Sequence, residues 1–212
     1  IHDIIHLIFP KSSLHAAYAH RQLGFAVKRA QTLIMPSEFS RKEVIRYFPD
    51  AAKKSVSIHH GIAPFFCPGP SRQDDAIRRS LKLPETFLLY VGNHKPHKNL
   101  SQLLEVCREI FGEFPDLFLC VTGNREDENG ALNRLARQYR VSNRIHYLGI
   151  LNNEALRACY RAVRVFAFPS LYEGFGFPPL EAMACGTPVV AFRTASLPEV
   201  VADGGILIEP GD

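Results

Sequence analysis

The second half of this 212-residue chain alternates short apolar runs with amphipathic helical patterns, and this alternation restricts its fold more than any other feature. The apolar runs predict strands at 86–91, 117–122, 145–148, 163–168, 187–191 and 205–208. The spacing of the apolar residues between them predicts helices, including one at 153–161 and a short one at 179–185. Continuous apolar strands separated by such helices are typical of a parallel sheet that is covered on both faces. We therefore predict a doubly wound, Rossmann-like α/β domain.

The first 63 residues show a weaker version of the same rhythm. A helix with one apolar face is predicted at 16–30, strands at 32–35 and 56–59, and a helix that Ser37 caps and that ends near Phe48. Residues 64–83 are rich in Pro and Gly, as linkers are, and contain a short helical pattern at 76–81. The expected organisation is the last part of an N-terminal Rossmann-like domain at 1–63, a linker at 64–83 and a C-terminal domain at 84–212. Two such units form a cleft between them.

Composition excludes several classes of protein. With 46% hydrophobic and 22% charged residues the chain is neither disordered nor fibrous, and no apolar run approaches the roughly 18 to 20 residues of a membrane helix. The net charge of +4 suits an anionic ligand but is too small to indicate nucleic acid. Four of the five cysteines lie in apolar stretches, which predicts reduced core thiols and a cytoplasmic compartment. Because the chain begins at Ile1 without Met, we interpret it as a piece of a longer protein.

The segment 169–186 carries the strongest functional pattern. It follows a predicted strand, contains Gly174 and Gly176, and enters a helix through the double proline that begins at Pro178. Gly186 is expected to end that helix in a left-handed conformation. The two loop glycines allow a ligand to approach the backbone, at the carboxyl edge of a parallel sheet where α/β folds bind phosphorylated ligands. The segment therefore predicts an anion-binding loop.

Two carboxylates frame this loop. Glu173 is predicted to lie in the loop itself and Glu181 in the first turn of the helix that follows. A carboxylate accepts two hydrogen bonds at once, which suits the vicinal diol of a ribose or of a sugar ring. We therefore expect one glutamate for each of two sugars.

These residues resemble the Glu-(seven residues)-Glu signature of the retaining glycosyltransferases of family 4, which have the two-Rossmann-domain architecture called GT-B. The resemblance extends to YVGNHKPHKNL at 90–100, which is similar to the family's phosphate-contacting loop, and to SLPEV at 196–200. IHD at 1–3 and PSEFS at 36–40 are typical of the end of the family's N-terminal domain. Most of the chain is covered, and the glutamate pair in its Gly/Pro setting is the specific part.

The resemblance implies roles for four side chains. Glu181 would hold the nucleotide ribose, and Glu173 the hydroxyls of the transferred sugar. Lys98 would neutralise the diphosphate of the donor. His2 would reach the donor sugar from the N-terminal domain.

The resemblance also implies a wider donor-binding set. Its members are the backbone amides of Gly174, Phe175 and Gly176, which would support the sugar, Leu180 next to the diphosphate, and the phosphate-loop residues Gly92, Asn93 and Lys95. Asn93 stands where many members of the family carry Arg, so a fixed positive charge is missing at this position. Either Lys95 compensates for that charge or Lys98 acts with neutral donors alone.

Other polar clusters are given simpler interpretations. His94 and His97 are rejected as metal ligands because neighbouring lysines repel a cation, and His59 and His60 because adjacent residues of a strand point in opposite directions. The chain has no Asp-x-Asp pair, so Lys98 and the helix of the signature are expected to act in place of a metal. No cofactor is expected beyond the nucleotide sugar, which is a substrate. The acidic run at 126–128 predicts a solvated start of a helix.

The sequence thus predicts a retaining, metal-independent hexosyltransferase of polysaccharide biosynthesis. It would move a sugar from GDP-mannose or a UDP-sugar to a glycan or lipid-linked acceptor, with peripheral contact to the inner face of the membrane and no nucleic-acid partner. The piece by itself is expected to be inactive because the acceptor half is missing. Two alternatives remain: a nucleotide-sugar epimerase of the same architecture, which needs acid and base residues from both domains, and a donor-binding module without catalysis.

Overall fold

The computed structural model describes residues 1–69, 71–123 and 130–212, so the acidic run predicted at 126–128 lies outside the described residues. The helices are α1 Ile5–Ile8, α2 Ser13–Arg29, α3 Glu38–Tyr47, α4 Asp74–Ser80, α5 Leu100–Glu113, α6 Ala131–Gln138, α7 Asn153–Ala162, α8 Phe177–Ala184 and α9 Leu197–Val201. The strands are β1 Leu33–Met35, β2 Ser55–Ser57, β3 Thr86–Tyr90, β4 Leu117–Thr122, β5 Ile145–Gly149, β6 Val165–Phe168, β7 Val189–Phe192 and β8 Ile206–Ile208.

Six of these strands form one parallel sheet in the order β5-β4-β3-β6-β7-β8. The chain builds this sheet outward from β3 in one direction, then returns and builds outward from β6 in the other. The order therefore reverses between β3 and β6, which pair with Leu88 opposite Val165. In doubly wound sheets ligands bind at the carboxyl edge beside this reversal, which is called the switch point. The loops that follow β3 and β6 meet there.

The large sheet is buried on both faces, as the continuous apolar strands predict. In β3, Phe87 and Leu89 belong to one core, which α7, α8 and α9 cover. Tyr90 belongs to a second core on the opposite face, which α5 and α6 cover. Alternate residues of a strand point to opposite faces, so the same five-residue strand supplies both cores. The doubly wound α/β prediction is confirmed.

The first 63 residues build a smaller unit around the parallel pair β1 and β2. Its core contains residues from the segment before α1, from α2, β1 and α3, and from the end of α3, namely Ile4, Val27, Met35, Val44 and Phe48. The backbone amide of Ser40 donates to the Ser37 hydroxyl at 3.0 Å, the N-terminal cap that the sequence predicts for α3.

Residues 64–83 pack against the six-stranded sheet and its covering helices, which together are called the large domain. Phe66 is buried in the core under α7 and α8. The Arg161 guanidinium pairs with the Asp74 carboxylate at 3.0 Å, with both side chains close to 90% buried, and also donates to the carbonyl of Cys67. These contacts fasten α4 and the chain before it to α7.

Predicted and observed elements agree closely, with two differences that bear on the site. Helix α8 begins at Phe177 rather than 179, because Gly176 ends the loop with φ of +113° and the two prolines follow inside the first turn. Strand β2 ends at Ser57, so His59 and His60 follow the strand instead of lying on it.

The cysteines occupy the places that the sequence predicts for core thiols. Four are buried and free, namely Cys107, Cys120, Cys159 and Cys185. Burial raises the pKa of the Cys107 thiol to about 12. Cys67 is exposed. Within the described ranges, none of the helices combines the length and apolarity that crossing a membrane would require.

Candidate functional site

The loops after β3 and β6 are hydrogen-bonded to each other at the switch point. The carbonyl of His97, in a single 3₁₀ turn at Pro96–Lys98, accepts from the backbone amide of Leu171 at 2.8 Å and from the Ser170 hydroxyl at 3.3 Å. Ser170 is 1% exposed, so this junction excludes water. The junction places the next residue of the turn, Lys98, beside the loop that carries Glu173.

Lys98 and Glu173 form an ion pair. The ammonium Nζ of Lys98 lies 2.5 Å from Oε1 of Glu173, and the side chains are only 12% and 14% exposed. The same ammonium lies 5.4 Å from the centre of the Phe168 ring at the end of β6. Sequence reasoning gives the two residues separate tasks, but the structure joins them, so a change in one alters the environment of the other.

Glu181 lies on α8 and accepts a hydrogen bond of 3.0 Å from the hydroxyl of Tyr160. Burial raises the pKa of the Glu181 carboxyl, and the hydrogen bond from Tyr160 opposes that effect. Because α8 starts at Phe177, two residues before the predicted start, Glu181 is its fifth residue and stands in the second turn, so the first-turn prediction is wrong. The sequence does not predict this role of Tyr160, since a tyrosine on the apolar face of a helix is expected to be a core residue.

Serine hydroxyls hold the loop between the two glutamates by its carbonyl groups. The carbonyl of Gly174 accepts from Ser37 at 2.7 Å and from Ser40 at 2.9 Å. The hydroxyl of Ser196 lies 3.0 Å from the carbonyl of Glu173 and 2.7 Å from that of Phe175. From the sequence alone Ser37 is expected only to cap α3, and no local pattern predicts the contacts of Ser40 and Ser196.

Two glycines in this loop are required by close packing. A Cβ on Gly174 would collide with the backbone carbonyl of His2, and one on Gly176 would lie 2.9 Å from Cδ2 of Leu197. Gly176 also has φ of +113°, which residues with a side chain rarely adopt. The loop therefore contacts the first 63 residues, called the N-terminal segment, on one side and α9 on the other.

The N-terminal segment also docks through Glu199 of α9. The carboxylate of Glu199 accepts hydrogen bonds of 3.1 Å from the backbone amides of Glu38 and Phe39. These amides begin α3, where the helix dipole favours a negative charge. Glu199 thus fixes α3 to the large domain beside the loop.

An aromatic cluster brings His2 to the same loop. The His2 ring stacks on His60 with centres 5.4 Å apart, and His60 in turn stacks on Phe177 at 5.1 Å. His59 and His60 both approach Phe175, at 5.9 Å and 5.2 Å, so the prediction that they point in opposite directions is wrong. The reason is that both residues lie beyond the end of β2, where the strand alternation no longer holds.

Polar groups of the predicted phosphate loop already make hydrogen bonds within the protein. The backbone amide of Gly92 donates to the Thr122 hydroxyl at 3.2 Å. The carbonyl of Asn93 accepts from Tyr90, and its side-chain oxygen accepts from the amide of Lys95 at 3.2 Å. The Lys95 side chain is exposed, and Leu180 on α8 is half-buried.

A cavity of about 390 Å³ lies beside this turn, between the N-terminal segment and the large domain. Its lining residues are Ile5, His6, Phe9, Pro10, Lys11, His15, Lys95, Pro96 and His97. Burial lowers the pKa of His97 to about 4, and the charges of Lys98 and Lys95 act in the same direction. In the part of the chain that the structure describes, no three His, Cys, Asp or Glu side chains are grouped closely enough to hold a metal ion.

Comparison with known proteins agrees with this geometry. The family model for glycosyl transferases group 1 matches residues 72–212. The O-antigen chain mannosyltransferase B of Escherichia coli is 34% identical over 200 residues, which are 92% of this chain and 52% of that protein. The D-inositol 3-phosphate glycosyltransferase 2 of Catenulispora acidiphila is 32% identical over 202 residues, which are 88% of this chain and 47% of that protein.

Among solved structures, Anabaena Alr3699/HepE in complex with UDP and glucose has a TM-score of 0.82 at 22% identity, over 100% of this chain and 57% of that one. This likeness confirms the GT-B type of fold. The chain spans about half the length of the proteins that it matches. The family match includes the Lys98 turn and both glutamates of the signature, and the chain belongs to the group 1 glycosyl transferases.

Proposed function

We propose that this chain is the donor-binding part of a retaining glycosyltransferase, which moves a sugar from GDP-mannose or a UDP-sugar to a glycan or lipid-linked acceptor. The observation that carries the proposal is the placement of Glu173, Glu181 and Lys98 around a glycine loop at the switch point. Each side chain is at least partly buried and has a protein partner, so the loop is ordered before a ligand arrives.

The two glutamates suit the two sugars of such a donor. The Glu181 carboxylate is held on α8 by Tyr160 and can accept both hydroxyls of a ribose. Glu173 lies in the loop, where its carboxylate can orient hydroxyls of the transferred sugar. Leu180 would lie beside the diphosphate, one residue before Glu181 on the same helix.

The negative charge of the leaving diphosphate needs more than Lys98. The ion pair with Glu173 leaves the two side chains with no net charge. The positive end of α8, the loop amides and Lys95 would therefore share the stabilisation of the leaving group. The amides and the helix are fixed before the reaction, which is the condition under which such electrostatic stabilisation is most effective.

Retention of configuration has two routes for a site of this kind. A covalent intermediate would need a carboxylate with no other partner, and Glu173 is engaged by Lys98. This favours attack by the acceptor on the same face of the sugar from which the leaving group departs. Glu173 would then orient the sugar rather than form a bond to it. His2, which stacks on His60 beside the loop, would reach the sugar from the N-terminal side.

The acceptor would approach from the side of residues 1–63, with 64–83 as the connection and 84–212 as the donor domain. Glycan assembly is supported by the name of the E. coli relative, whereas the relative from Catenulispora, at similar identity, is named for a different acceptor. We place the reaction in the cytoplasm, with peripheral contact to the membrane that carries lipid-linked acceptors, and without metal or cofactor.

The test incubates the purified uncut protein, not the 212-residue piece alone, with GDP-mannose or UDP-glucose labelled in the sugar, with and without a lipid-linked oligosaccharide acceptor. Labelled product or slow release of free sugar supports a transferase. An isomerised sugar nucleotide would support an epimerase, and binding without turnover a module that only holds the donor. Glu173→Gln should remove turnover, while Glu154→Gln, an exposed change on α7, should not.

A further inference from the structure

Three consecutive carbonyls of the glycine loop, those of residues 173, 174 and 175, accept hydrogen bonds from serine hydroxyls. The carbonyl of Gly174 accepts from Ser37 and Ser40, and those of Glu173 and Phe175 lie against Ser196. These serines are 0%, 1% and 0% exposed, so water does not compete for the contacts. Buried polar contacts of this kind restrict a backbone to one orientation.

The hydrogen-bonding capacity of these groups matches the geometry. A carbonyl oxygen has two lone pairs, and the hydroxyls of Ser37 and Ser40 occupy both on Gly174. Ser37 donates its one proton to this carbonyl and accepts from the amide of Ser40. The Ser40 hydroxyl also lies 3.3 Å from the carbonyl of His2, so its one proton is shared, with the shorter distance to Gly174. Ser196 shares its one proton between two carbonyls, with the shorter distance to Phe175.

Fixing the carbonyls also fixes the amides. The peptide group is planar, and in its trans form the N–H points away from the C=O. The amides of Gly174, Phe175 and Gly176 therefore point away from the serine hydroxyls. Within the described part of the chain, none of the three donates a hydrogen bond to a protein acceptor.

The hydroxyls come from both parts of the chain. Ser37 and Ser40 belong to the N-terminal segment, and Ser196 precedes α9 of the large domain. Glu199 holds the start of α3 through the amides of Glu38 and Phe39, which keeps both N-terminal hydroxyls at the loop. Residues 37–40 and 196–199 thus fix the orientation of the loop together.

We propose that Ser37, Ser40 and Ser196 are positioning residues for the donor sugar, because they direct the amides of Gly174, Phe175 and Gly176 toward it. This inference rests on the proposed function, in which the amides support the sugar and Glu181 holds the nucleotide. The docking of the N-terminal segment then controls the sugar half of the site and leaves the nucleotide half unchanged.

The experiment measures by titration calorimetry how much more tightly the 212-residue chain binds UDP-glucose than UDP, and GDP-mannose than GDP. In Ser40→Ala, Ser196→Ala and the double variant Ser37→Ala/Ser40→Ala, the sugar nucleotide should bind about five- to tenfold more weakly. The affinity for the nucleotide alone should stay within twofold. Ser40→Thr keeps a hydroxyl and should recover the sugar affinity.

Ser80→Ala is the matched control, since Ser80 is exposed at the end of α4, donates to the carbonyl of Ile77 and lies away from the site. The inference is overturned if the serine variants keep the wild-type ratio of sugar-nucleotide to nucleotide affinity. This outcome includes an equal loss of both affinities, and it would mean that the hydroxyls do not position the sugar. If the wild-type chain binds neither form of the ligand, the proposed function fails and the inference fails with it. Circular dichroism of each variant identifies any that does not fold, in which case Ser40→Cys, of similar size, replaces Ser40→Ala.

Discussion

The ammonium of Lys98 and the carboxylate of Glu173 lie 2.5 Å apart although 75 residues separate them in the chain. Lys98 ends the turn after β3 and Glu173 lies in the loop after β6, the two strands between which the sheet order reverses. The pair joins the loops of both halves of the sheet. A charged pair this deeply buried is costly to break from one side, since the remaining charge has no partner.

The first prediction concerns the stability of this pair. Lys98→Met or Glu173→Gln alone should lower the free energy of unfolding by about 3 kcal/mol, because each leaves one group buried without its partner. The double variant should lose clearly less than the sum, since both groups are then gone. Urea denaturation of the four proteins measures the coupling. Additive losses would show that the two side chains do not interact in solution.

The second prediction concerns the pH dependence of nucleotide binding. The ionised Glu181 carboxylate is the form that accepts two hydroxyls, and burial raises its pKa above the ordinary 4.5. Affinity for UDP or GDP should therefore fall as pH is lowered through this raised pKa. The fall should begin at a higher pH than it would for an exposed glutamate. Glu181→Gln should bind about tenfold more weakly at pH 7.5 and lose this part of the pH dependence.

The nucleotide's own titration is common to both proteins and cancels in the comparison. For stability the sign is opposite, because the folded chain holds the Glu181 proton more tightly than the unfolded chain does. Glu181 therefore stabilises the fold most at low pH and less as pH rises through its pKa. Equal pH profiles for wild type and Glu181→Gln would contradict its assignment to the ribose.

The third prediction concerns His97, whose pKa burial lowers from 6.5 to about 4. A depressed pKa gives stability that is present above pH 6.5 and is lost as pH falls toward 4. The wild type should lose up to about 3 kcal/mol more than His97→Gln over this range, as 1.36 kcal/mol for each pKa unit implies. Guanidinium unfolding at pH 7, 5.5 and 4 measures the difference.

The fourth prediction compares two glycines that both have positive φ. Gly176 has φ of +113° and lies against the buried Leu197, whereas a Cβ on Gly186, at φ of +80°, would meet only Cβ of Pro68 at 3.6 Å. Gly176→Ala should lower the free energy of unfolding by about 2 to 3 kcal/mol and Gly186→Ala by about 1 kcal/mol. Thermal unfolding checks the order. A larger loss at Gly186 would mean that packing against Leu197 does not limit the loop.

Much of the fold could be predicted because its signal is periodic and local. The apolar runs at β3 and β4 are uninterrupted, and the structure places alternate residues of β3 in two separate cores. The end of α8 just before Gly186 also follows from local chemistry, since Gly readily adopts the left-handed conformation that commonly follows the last turn of a helix. The predicted start of β6 at 163 is two residues too early, because Val163 is apolar like the strand but caps the end of α7.

The contacts between distant segments could not be predicted in this way. Nothing local to Ser40 indicates that its hydroxyl will reach the carbonyl of Gly174, 134 residues away. The Glu199 carboxylate has the same property, since its partners are backbone amides of α3, which carry no sequence signal. The sequence pattern identified the loop between the glutamates, and only the folded chain shows what holds its backbone in place.

The central claim is that the loop amides at 174–176 face a nucleotide sugar. It is tested most directly by following backbone amide resonances of ¹⁵N-labelled protein during titration with GDP-mannose or UDP-glucose. The amides of Gly174, Phe175 and Gly176 should shift with the sugar nucleotide and much less with the nucleotide alone, while that of Gly112 on α5 should not move. Unchanged resonances at all three loop amides, with the ligand demonstrably bound elsewhere, would contradict the account.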